Sequence, residues 1–466
     1  MKRAACALAM LALAGGAMAA DEDKDLELIP PAQPRAARAA APSPMFTGNE
    51  RVYVENALAF TSLRDDLLVP FPPPLPPRSE DRLFADARLQ WPLGSTAFVA
   101  YSGRLNLVAQ EDLGFPDRGN VTHDLRELYA SVEPAPRDYL DAGRINLKSG
   151  VALGFNPTDF FKARAVVDPL TADPSVLRED RLGTIMVRAQ HVGERVSVMG
   201  AYAPRVTDPA PLASDPYRGF SPLFGLTNGT ERWLAKASVQ LGEGVNPEVL
   251  AYRENGRWKL GASLAQSVGK STVVYLEWAG GRRLGIADEA LAFGKDNGDI
   301  PPSAPPAMTQ GDEERFRNQL ALGASYTTES RITLNLEYHY NEAGFSRADW
   351  EHWFAAGEGQ PDSSPIAREL WFVRGYASDR QEPLQRHSVF LRADWVDFLV
   401  PNLELTGFVL ADAQDGSTFL QVEADYAHTD LWSFGVLAGA TTGGRRSNYG
   451  SLPRAASVLF KARRYF

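Results

Sequence analysis

The chain has 466 residues, a formal net charge of -10, a mean hydropathy of -0.25 and a single cysteine. The negative total charge offers nothing to attract nucleic acid. Beyond residue 20 no apolar run reaches the roughly 18 residues that a membrane-spanning helix needs, and long helical periodicity is scarce. Apolar residues recur instead at every second position, which is the period of β-strands.

The N-terminal segment has the composition of an export signal. Two basic residues precede an apolar run from Ala4 to Leu13, and an A-x-A cleavage motif ends at Ala19. We therefore expect residues 1–19 to be a cleaved signal peptide. Residues 20–48, rich in Ala and Pro and without any period, are expected to form a disordered periplasmic lead-in. Cys6 lies inside the apolar run, so the mature chain would contain no disulfide.

Residues 49–466 follow as a succession of amphipathic strands. In RITLNLEYHY, Ile332, Leu334 and Leu336 are apolar and the residues between them are polar. Such segments have about the 9–11 residues that a tilted strand needs to cross a membrane, and aromatic residues collect near their ends. A soluble β-sandwich also has one apolar and one polar face, but these strands are long for a sandwich. The predicted strands are 50–61, 81–91, 95–109, 122–133, 137–148, 181–191, 194–204, 230–240, 246–254, 257–268, 271–280, 313–328, 330–341, 386–398, 402–413, 417–428, 431–441 and 455–466.

These segments predict an all-β, transmembrane antiparallel β-barrel of about 18 strands, with 16–18 acceptable. An even number places the short turns on one, periplasmic side and the long connections on the other, extracellular side. The segment 342–385 contains SRADWEHWFAA and ARELWFVRGYASD, which both have helical character, so we expect short helical pieces there. The predicted long extracellular loops are 62–80, 149–180, 205–229, 281–312 and 342–385.

A barrel of about 16–18 strands leaves an aqueous channel, so its inward polar faces bear on function. Basic residues recur on the polar faces of neighbouring strands and predict a partly cationic lumen wall. Alternatively, these charges pair across strands with Asp86, Glu127 and Glu133, which would make the wall rigid without selecting any solute. The candidate pore residues on the strands are Arg88, Arg104, Glu127, Arg144, Lys148 and Arg188.

The segment 149–180 is too long for a turn and too apolar to sit in solvent, and its three prolines exclude long regular elements. Such a loop either packs on other loops or folds inward as a constriction, and we expect inward folding. The charges it would present to a solute are those of Asp159, Lys162, Arg164, Asp168, Arg178 and Asp180.

The stretch LRELYASVEPAPRDYLDAGRINLKSGVALGFNPTDFF resembles the central part of alginate-export-type outer-membrane barrels. There a strand of the form D-x-G-R-x-x-L leads into a Gly-rich segment and an Asn-Pro-x-Asp turn. The similarity covers about residues 125–190 and implies an export or diffusion channel. In the alginate exporter an arginine-rich constriction passes an anionic polysaccharide, whereas the charge of this segment is mixed. The resemblance makes constriction candidates of Arg144, Lys148, Lys162 and Arg164.

The chain finishes on an amphipathic strand and an aromatic residue, Phe466. A terminal aromatic on such a strand is a family signature of outer-membrane barrels, where it is associated with recognition by the barrel assembly machinery. Phe466 is therefore the predicted assembly signal.

Enzyme and metal chemistry find little support in the sequence. There is no G-x-S-x-G, no H-E-x-x-H and no cysteine nucleophile. Glu337 and His339 form a pair able in principle to do acid–base work, but a hydrogen bond in the lumen is the simpler interpretation. We predict no cofactor and no metal site, although the acidic outer loops (Glu111, Asp112, Asp117, Asp312, Glu313 and Glu314) could hold calcium loosely.

The sequence thus predicts a non-enzymatic outer-membrane channel, or porin, for passive diffusion of small polar or anionic solutes, with carbohydrates as candidates. Its expected partners are outer-membrane lipid and lipopolysaccharide, the assembly machinery and a small polar or oligosaccharide solute. The alternative is an exporter of an acidic polysaccharide coupled to a periplasmic synthesis complex. A surface adhesin or receptor that uses the loop 342–385 is a third possibility.

Overall fold

The computed structural model describes residues 50–110, 121–167, 170–212, 219–242, 244–311 and 313–466. The signal peptide predicted at 1–19 and the lead-in predicted at 20–48 lie outside the described residues. The described strands are β1 (Arg51–Leu63), β2 (Ser79–Pro92), β3 (Ala97–Gln110), β4 (Val121–Ala135), β5 (Asp138–Ile145), β6 (Thr184–Val192), β7 (Val196–Ala203), β8 (Arg232–Val239), β9 (Glu248–Glu254), β10 (Arg257–Val268), β11 (Thr272–Arg283), β12 (Arg315–Thr327), β13 (Ile332–Asn341), β14 (His387–Val396), β15 (Leu403–Asp412), β16 (Thr418–Ala427), β17 (Trp432–Thr442) and β18 (Arg454–Tyr465).

These strands form one closed antiparallel barrel. Each pairs with its neighbours in sequence, and β1 closes the sheet by pairing with both β2 and β18. The predicted β-barrel of eighteen strands is confirmed. The strand boundaries fall within a few residues of those that the alternation predicts.

The alternation of side chains gives the barrel an apolar outside and a polar inside. On β13, Leu336 is 55% exposed, whereas its neighbours Asn335 and Glu337 are each 1% exposed. The same arrangement continues on β14, where exposed Leu391 pairs with Leu336 and buried Arg392 pairs with Asn335. An apolar belt around a polar interior suits a barrel that is surrounded by lipid.

The two ends of the barrel differ in the length of their connections. At one end, called the short-turn end here, two to eight residues join successive strands, as at 193–195 and 240–247. The opposite end, called the long-loop end, carries most of the length outside the strands. Its long connections are 64–78, 146–183, 204–231, 284–314 and 342–386.

Among the described residues, the connections of the long-loop end contain five helices: α1 (Pro174–Glu179), α2 (Phe224–Thr227), α3 (Ile286–Asn297), α4 (Arg347–Gly357) and α5 (Pro365–Asp379). The helical pieces predicted between 342 and 385 are confirmed as α4 and α5, whereas α3 was not expected. Ser346 and Asp349 cap the start of α4 reciprocally, and the hydroxyl of Ser364 accepts from the first turn of α5. Within the part of the chain that the structure describes, no helix is both long and apolar enough to cross a membrane.

Helices α3, α4 and α5 pack on one another and form a small apolar core of their own, which we call the cap. Trp353, Leu370 and Ile286 are completely buried in it. Arg374 of α5 donates to the carbonyl and side-chain oxygens of Asn448, at 2.9 and 3.0 Å, and so ties the cap to the connection between β17 and β18. The cap is therefore a packed unit at the long-loop end.

Candidate functional site: the constriction loop

The described residues between β5 and β6, 146–167 and 170–183, fold into the barrel as the sequence predicts, and we call them the constriction loop. Their backbone reaches Glu277 on β11 and Glu337 on β13, both near the middle of their strands. Farther along, the loop contacts Arg392 on β14, Gln421 on β16 and Arg104 on β3. The loop therefore crosses the lumen at about half its height.

Glu277 holds the outgoing part of the loop. Its Oε2 accepts hydrogen bonds from the N–H groups of Val151 and Ala152, both at 2.9 Å, and its Oε1 accepts from the N–H and the hydroxyl of Thr158, both at 2.7 Å. The carboxylate is completely buried. Hydrogen bonds to a charged group contribute about 1.5–3 kcal/mol each, so Glu277 alone is a strong anchor.

Glu337 is a second anchor of the same kind. It accepts from the N–H groups of Leu153 at 2.6 Å and Gly154 at 2.8 Å. The Tyr275 hydroxyl at 2.6 Å and the His339 ring at 2.7 Å complete its contacts. The pair Glu337 and His339 is thus buried under the loop, and its geometry serves to hold the loop rather than to reach a substrate.

Two glycines permit this close approach. Gly150 has a φ of +82°, and a Cβ there would collide with the side chains of Asn156 and Glu277. A Cβ at Gly154 would lie 2.5 Å from the ring of Phe390. The Gly-rich segment singled out in the sequence is therefore the part of the loop that must lie against two carboxylates and a ring.

Ion pairs fold the loop back on itself. Asp159 accepts a bidentate contact from Arg181, at 2.7 and 3.0 Å, and both side chains are buried. Burial raises the pKa of Asp159, but the guanidinium groups of Arg181 and Arg178 outweigh burial and hold this pKa below its usual range. Arg181 also donates to the carbonyl of Leu147 at 2.8 Å, so the end of the loop is joined to its beginning.

The returning part of the loop ends in a compact square of charges. Asp180 accepts from Arg104 at 2.8 Å and from Arg126 at 2.9 Å. Asp86 accepts from the same two arginines, at 2.9 and 2.8 Å. Burial raises the pKa of Asp180, but the charges of Arg104 and Arg126 outweigh burial and lower this pKa to about 2. The two positive and two negative charges of the square cancel and make this part of the wall rigid, and Arg51, 4.0 Å from Asp86 and 40% exposed, adds one positive charge at its edge.

The opposite wall holds the middle of the loop. Arg392 donates to Asp173 at 2.5 Å and also contacts Asp394 of its own strand at 2.9 Å. Gln421 accepts from the Ala172 N–H at 2.9 Å and donates to the Thr171 hydroxyl at 2.8 Å. The loop is therefore fixed on both sides of the barrel.

On one side of the loop the lumen is filled with apolar side chains. Phe160 stacks on Tyr252 of β9, with ring centroids 4.6 Å apart. Phe161 packs into a buried cluster with Met186 and other apolar residues of β5 to β9. The remaining buried members of this cluster are Ile145, Leu147, Met199, Ala201, Ala203, Leu234 and Leu250. Close packing of this kind excludes water.

On the other side, Leu170 of the loop packs on a small buried cluster of Ala57, Leu437 and Leu459, and next to this cluster charged side chains remain partly exposed. Arg88 and Glu179 form an ion pair of 3.5 Å with 37% and 40% of their side chains exposed. Lys148 also contacts Glu179. Burial raises the pKa of Glu179, but the charges of Lys148 and Arg88 outweigh burial and lower this pKa to about 2. Asp425 of β16 is similarly exposed. A polar passage beside the loop is consistent with this difference between the two sides.

Lys162 differs from the other basic residues of the loop. Its Nζ donates to the carbonyl of Asn156 at 2.5 Å and lies 4.3 Å from the ring centroid of Phe155. Among the described residues it makes no ion pair with a carboxylate, so its positive charge is not neutralised by contact. Burial lowers the pKa of Lys162 to about 8, although Asp159 acts in the opposite direction.

Arg164 connects the constriction loop to the cap. Its Nε donates to Asp379, the last residue of α5, at 2.8 Å. The rest of its guanidinium donates to the carbonyls of Ala210 at 2.7 Å and Pro211 at 3.1 Å, and its own N–H donates to the Asp379 carbonyl. Arg164 is therefore fully engaged in holding loops together and is not presented to a solute.

The predicted pore residues thus fall into distinct environments. Arg88 and Lys148 lie together around Glu179, and Arg104 lies in the charge square. Glu127 accepts from the Asn146 N–H at 3.2 Å, and buried Arg188 pairs with Asp141 at 2.7 Å. Pairing across strands, the alternative that the sequence left open, is seen for Arg104 with Asp86 and for Arg188 with Asp141, whereas Arg88 and Lys148 pair with Glu179 of the constriction loop. Asp168 and the acidic loop residues Glu111, Asp112, Asp117 and Asp312 lie outside the described residues.

Arg144 does not face the lumen, contrary to the alternation expected for its strand. It pairs directly with Leu128, whose side chain is 46% exposed on the outer face. Its guanidinium is covered by the carbonyls of Gly183 at 2.9 Å and Pro222 at 2.5 Å. The reason is that Ile145 turns inward to pack with the apolar part of the constriction loop, which places Arg144 on the opposite face.

Arg126 is an important residue that the sequence argument missed. A β-bulge shifts the register between β3 and β4, so that Ser102 pairs with Glu127 while the next residue pairs with Leu125. Arg126 and Glu127 consequently both face inward. The signal for this was present in the sequence, because the outward apolar residues Leu125 and Leu128 are three positions apart rather than two.

Comparisons with known proteins are consistent with the fold. No protein-family model matches the chain, and no curated protein matches it in sequence. OccK5 (OpdH) of Pseudomonas aeruginosa is similar over 90% of this chain and 97% of that chain, with a TM-score of 0.52 and 10% sequence identity. That likeness shows the fold.

Two further solved structures align over 90% of this chain at 9% identity. They are OccAB1 of Acinetobacter baumannii, with a TM-score of 0.49 over 95% of that chain, and a mutant of Rh. blastica porin, with a TM-score of 0.40 over 99% of that chain. The resemblance to alginate-export-type barrels stays a prediction. Among the described residues, no group of three or more His, Cys, Asp or Glu side chains is placed to hold a metal ion.

Proposed function

We propose that this protein is an outer-membrane channel through which small polar or anionic solutes, carbohydrates among them, diffuse passively. The apolar belt would face membrane lipid and lipopolysaccharide, and the long-loop end would face the outside of the cell. The single observation that carries the proposal is the unequal division of the lumen by the constriction loop. One side is packed with apolar side chains, and the other retains charged side chains such as Arg88 and Glu179 in contact with solvent.

The charges of the constriction favour small solutes over a long polyanion. Arg104 and Arg126 are both engaged by buried Asp86, and Arg181 is engaged by buried Asp159. An exporter of an acidic polysaccharide would need cations free to follow a moving chain of negative charges, so it finds less support here. Lys162 and the partly exposed Arg88 leave a modest positive bias, which supports a weak preference for anions.

Liposome swelling tests this function directly. Purified barrel is reconstituted into liposomes, and swelling is followed in iso-osmotic arabinose, glucose, sucrose and sodium gluconate. We expect swelling that slows as the neutral sugar becomes larger, with gluconate faster than a neutral sugar of equal size. Swelling no faster than that of protein-free liposomes in every solute would contradict the proposal.

A further inference from the structure

A row of alternating aromatic and basic side chains crosses the outer face of the barrel at the long-loop end. Trp233 of β8 pairs with Arg253 of β9, which pairs with Trp258 of β10. The register of β10 and β11 places Arg282 beside Trp258, and Arg282 pairs with Phe316 of β12. We call these five residues the rim row.

The rim row lies at the edge of the apolar belt that is nearest to the long-loop end. Trp233, Trp258 and Phe316 are 45%, 58% and 47% exposed on the outer face. Closer to the middle of the same wall, Leu260 and Leu322 are also exposed and belong to the belt. Aromatic rings at the edge of such a belt lie at the level of the lipid headgroups. The arginines between these rings are therefore at headgroup level too.

The two arginines of the row keep their charge. Among the described residues, neither makes an ion pair with a carboxylate. Arg253 is partly exposed, with its guanidinium 5.9 Å from the ring centroid of Trp258. Arg282 is exposed and donates to the backbone carbonyl of Glu314 at 2.9 Å. Two positive charges thus face the membrane surface without a neutralising contact from the described part of the chain.

Carboxylates at this rim lie beyond the strand ends and have other contacts. Glu314 pairs with Arg257 at 2.5 Å, and Glu231 accepts from the indole N–H of Trp233 at 2.9 Å. Both acids precede the first residue of their strand, whereas the two arginines of the row belong to β9 and β11. Positive charge is therefore concentrated at the height of the headgroups. Two further carboxylates that lie outside the strands here are Glu313 and Glu342.

The row is a local feature of the outer wall. At the long-loop end of β15 to β17, Ala411 pairs with Thr418, and Thr418 pairs with Thr442. These outward positions carry no charge. Guanidinium groups between aromatic rings therefore distinguish the wall of β8 to β12 from that part of the rim.

We propose that the rim row binds the phosphorylated headgroup of lipid A, the glycolipid anchor of lipopolysaccharide. Arginine binds phosphate through charge-assisted hydrogen bonds. Because β10 separates β9 from β11, the backbones that carry Arg253 and Arg282 are about 10 Å apart, which suits a headgroup with two phosphates. This inference rests on the proposed outer-membrane location, with the long-loop end outside, and adds a lipid site to it.

Native mass spectrometry of the detergent-solubilised barrel tests the site with three lipids: lipid A with two phosphates, dephosphorylated lipid A with the same acyl chains, and phosphatidylglycerol. We expect lipid A to bind at least tenfold more tightly than the other two. Equal binding of dephosphorylated lipid A, or of phosphatidylglycerol, would overturn the proposal. Displacement of lipid A by inorganic phosphate at the same concentration would overturn it as well, since the row would then recognise free phosphate.

Two variants locate the binding. Arg253→Gln and Arg282→Gln should each weaken binding of lipid A at least tenfold, and the second, at an exposed position, keeps the test open if the first does not fold. Arg464→Gln is the matched control, because Arg464 is also exposed beside a tryptophan, Trp432, but at the short-turn end. Unchanged binding in both row variants, or an equal loss in the control, would overturn the proposal.

This test is separate from the test of the channel. No transport is measured, so a barrel that fails to swell liposomes can still bind lipid A through the rim row. A barrel that conducts but binds no lipid A would overturn this inference and leave the proposed channel function in place.

Discussion

The N–H and the hydroxyl of Thr158 both donate to one oxygen of Glu277, each at 2.7 Å. A single carboxylate oxygen on the barrel wall thus holds both the backbone and a side chain of the constriction loop. These bonds lie in a buried environment, where they are stronger than in water and costly to leave unmade. The position of the loop across the lumen therefore depends on Glu277 in particular.

Replacing Glu277 by Gln should loosen the loop. The amide keeps one acceptor oxygen, but its NH₂ group faces backbone N–H groups that need an acceptor. We expect the free energy of unfolding, measured by denaturation in lipid vesicles, to fall by about 2–4 kcal/mol. Current through the channel should become noisier. Glu329→Gln, in an exposed turn, is the matched control, and equal behaviour of the two variants would show that Glu277 is not an anchor.

Gly150→Ala should displace the loop because the backbone has a positive φ there and the new methyl group meets Asn156 and Glu277. We expect a loss of about 1–3 kcal/mol in the free energy of unfolding and a changed single-channel conductance. Gly200→Ala is the control, since a methyl group on that glycine has no atom within 4 Å. A Gly150→Ala barrel with the stability and conductance of the wild type would rule out the close approach described here.

Lys162 should give the channel a pH-dependent preference for anions. Burial lowers its pKa to about 8, so the side chain is charged below that pH and neutral above it. Reversal potentials in a salt gradient should show an anion preference at about pH 6 that declines as the pH rises through about 8.

Lys162→Met should remove this pH step and leave a lower, constant selectivity. Lys270→Met, in an exposed turn at the short-turn end, should keep the step. A step of the same size in the Lys162→Met channel would assign the titration to another group.

Arg164→Ala should separate the constriction loop from the cap. It removes the ion pair with Asp379 and two bonds to loop carbonyls, which leaves a largely buried carboxylate without its partner. We expect limited proteolysis of the connection 342–386 to proceed at least tenfold faster. The control is Arg205→Ala, which removes an exposed arginine of the neighbouring loop. The protease should cleave this variant at the wild-type rate. Equal cleavage of the wild type and both variants would mean that the contacts of Arg164 add nothing to the stability of the cap.

Phe466 should affect assembly more than stability. It is exposed at the short-turn end, where its N–H donates to the Val52 carbonyl at 3.1 Å. We expect Phe466→Ala to lower the amount of folded barrel in the outer membrane severalfold, measured by heat-modifiable gel mobility. Phe460→Ala removes an equally exposed ring from the same strand and should assemble at near the wild-type level. Equal assembly of both variants would exclude a role as assembly signal.

The barrel was predictable because alternation is a local property. On β18, inward Lys461 and Arg463 alternate with outward Phe460 and Arg464, as the sequence indicates. Arg464 lies beside Trp432, with its guanidinium 5.7 Å from the ring centroid, which keeps its charge near the end of the strand. Period two, strand length and turn residues identify the strands, and the even number that a closed barrel requires removes the segment 366–376, which is helical in α5.

The chemistry of the lumen was less predictable because it depends on contacts between distant segments. Alternation identifies Arg104 as inward, but it cannot show that Asp180, 76 residues away, neutralises it. Glu277 appears in the sequence as one more inward carboxylate, and only the folded loop shows that it is an anchor. The reversal of Arg144 has the same origin, since the packing of the loop decides which side of β5 faces inward. The bulge at Arg126, by contrast, could have been found from the spacing of Leu125 and Leu128.

The most direct test of the central claim is the single-channel conductance of the refolded barrel in a planar lipid bilayer, with neutral pH and a salt gradient. We expect a stable open conductance with a weak preference for anions, and a noisier conductance in the Glu277→Gln variant. A correctly folded barrel that conducts no ions would show that the constriction loop closes the lumen, and would contradict the proposal that this protein is a channel.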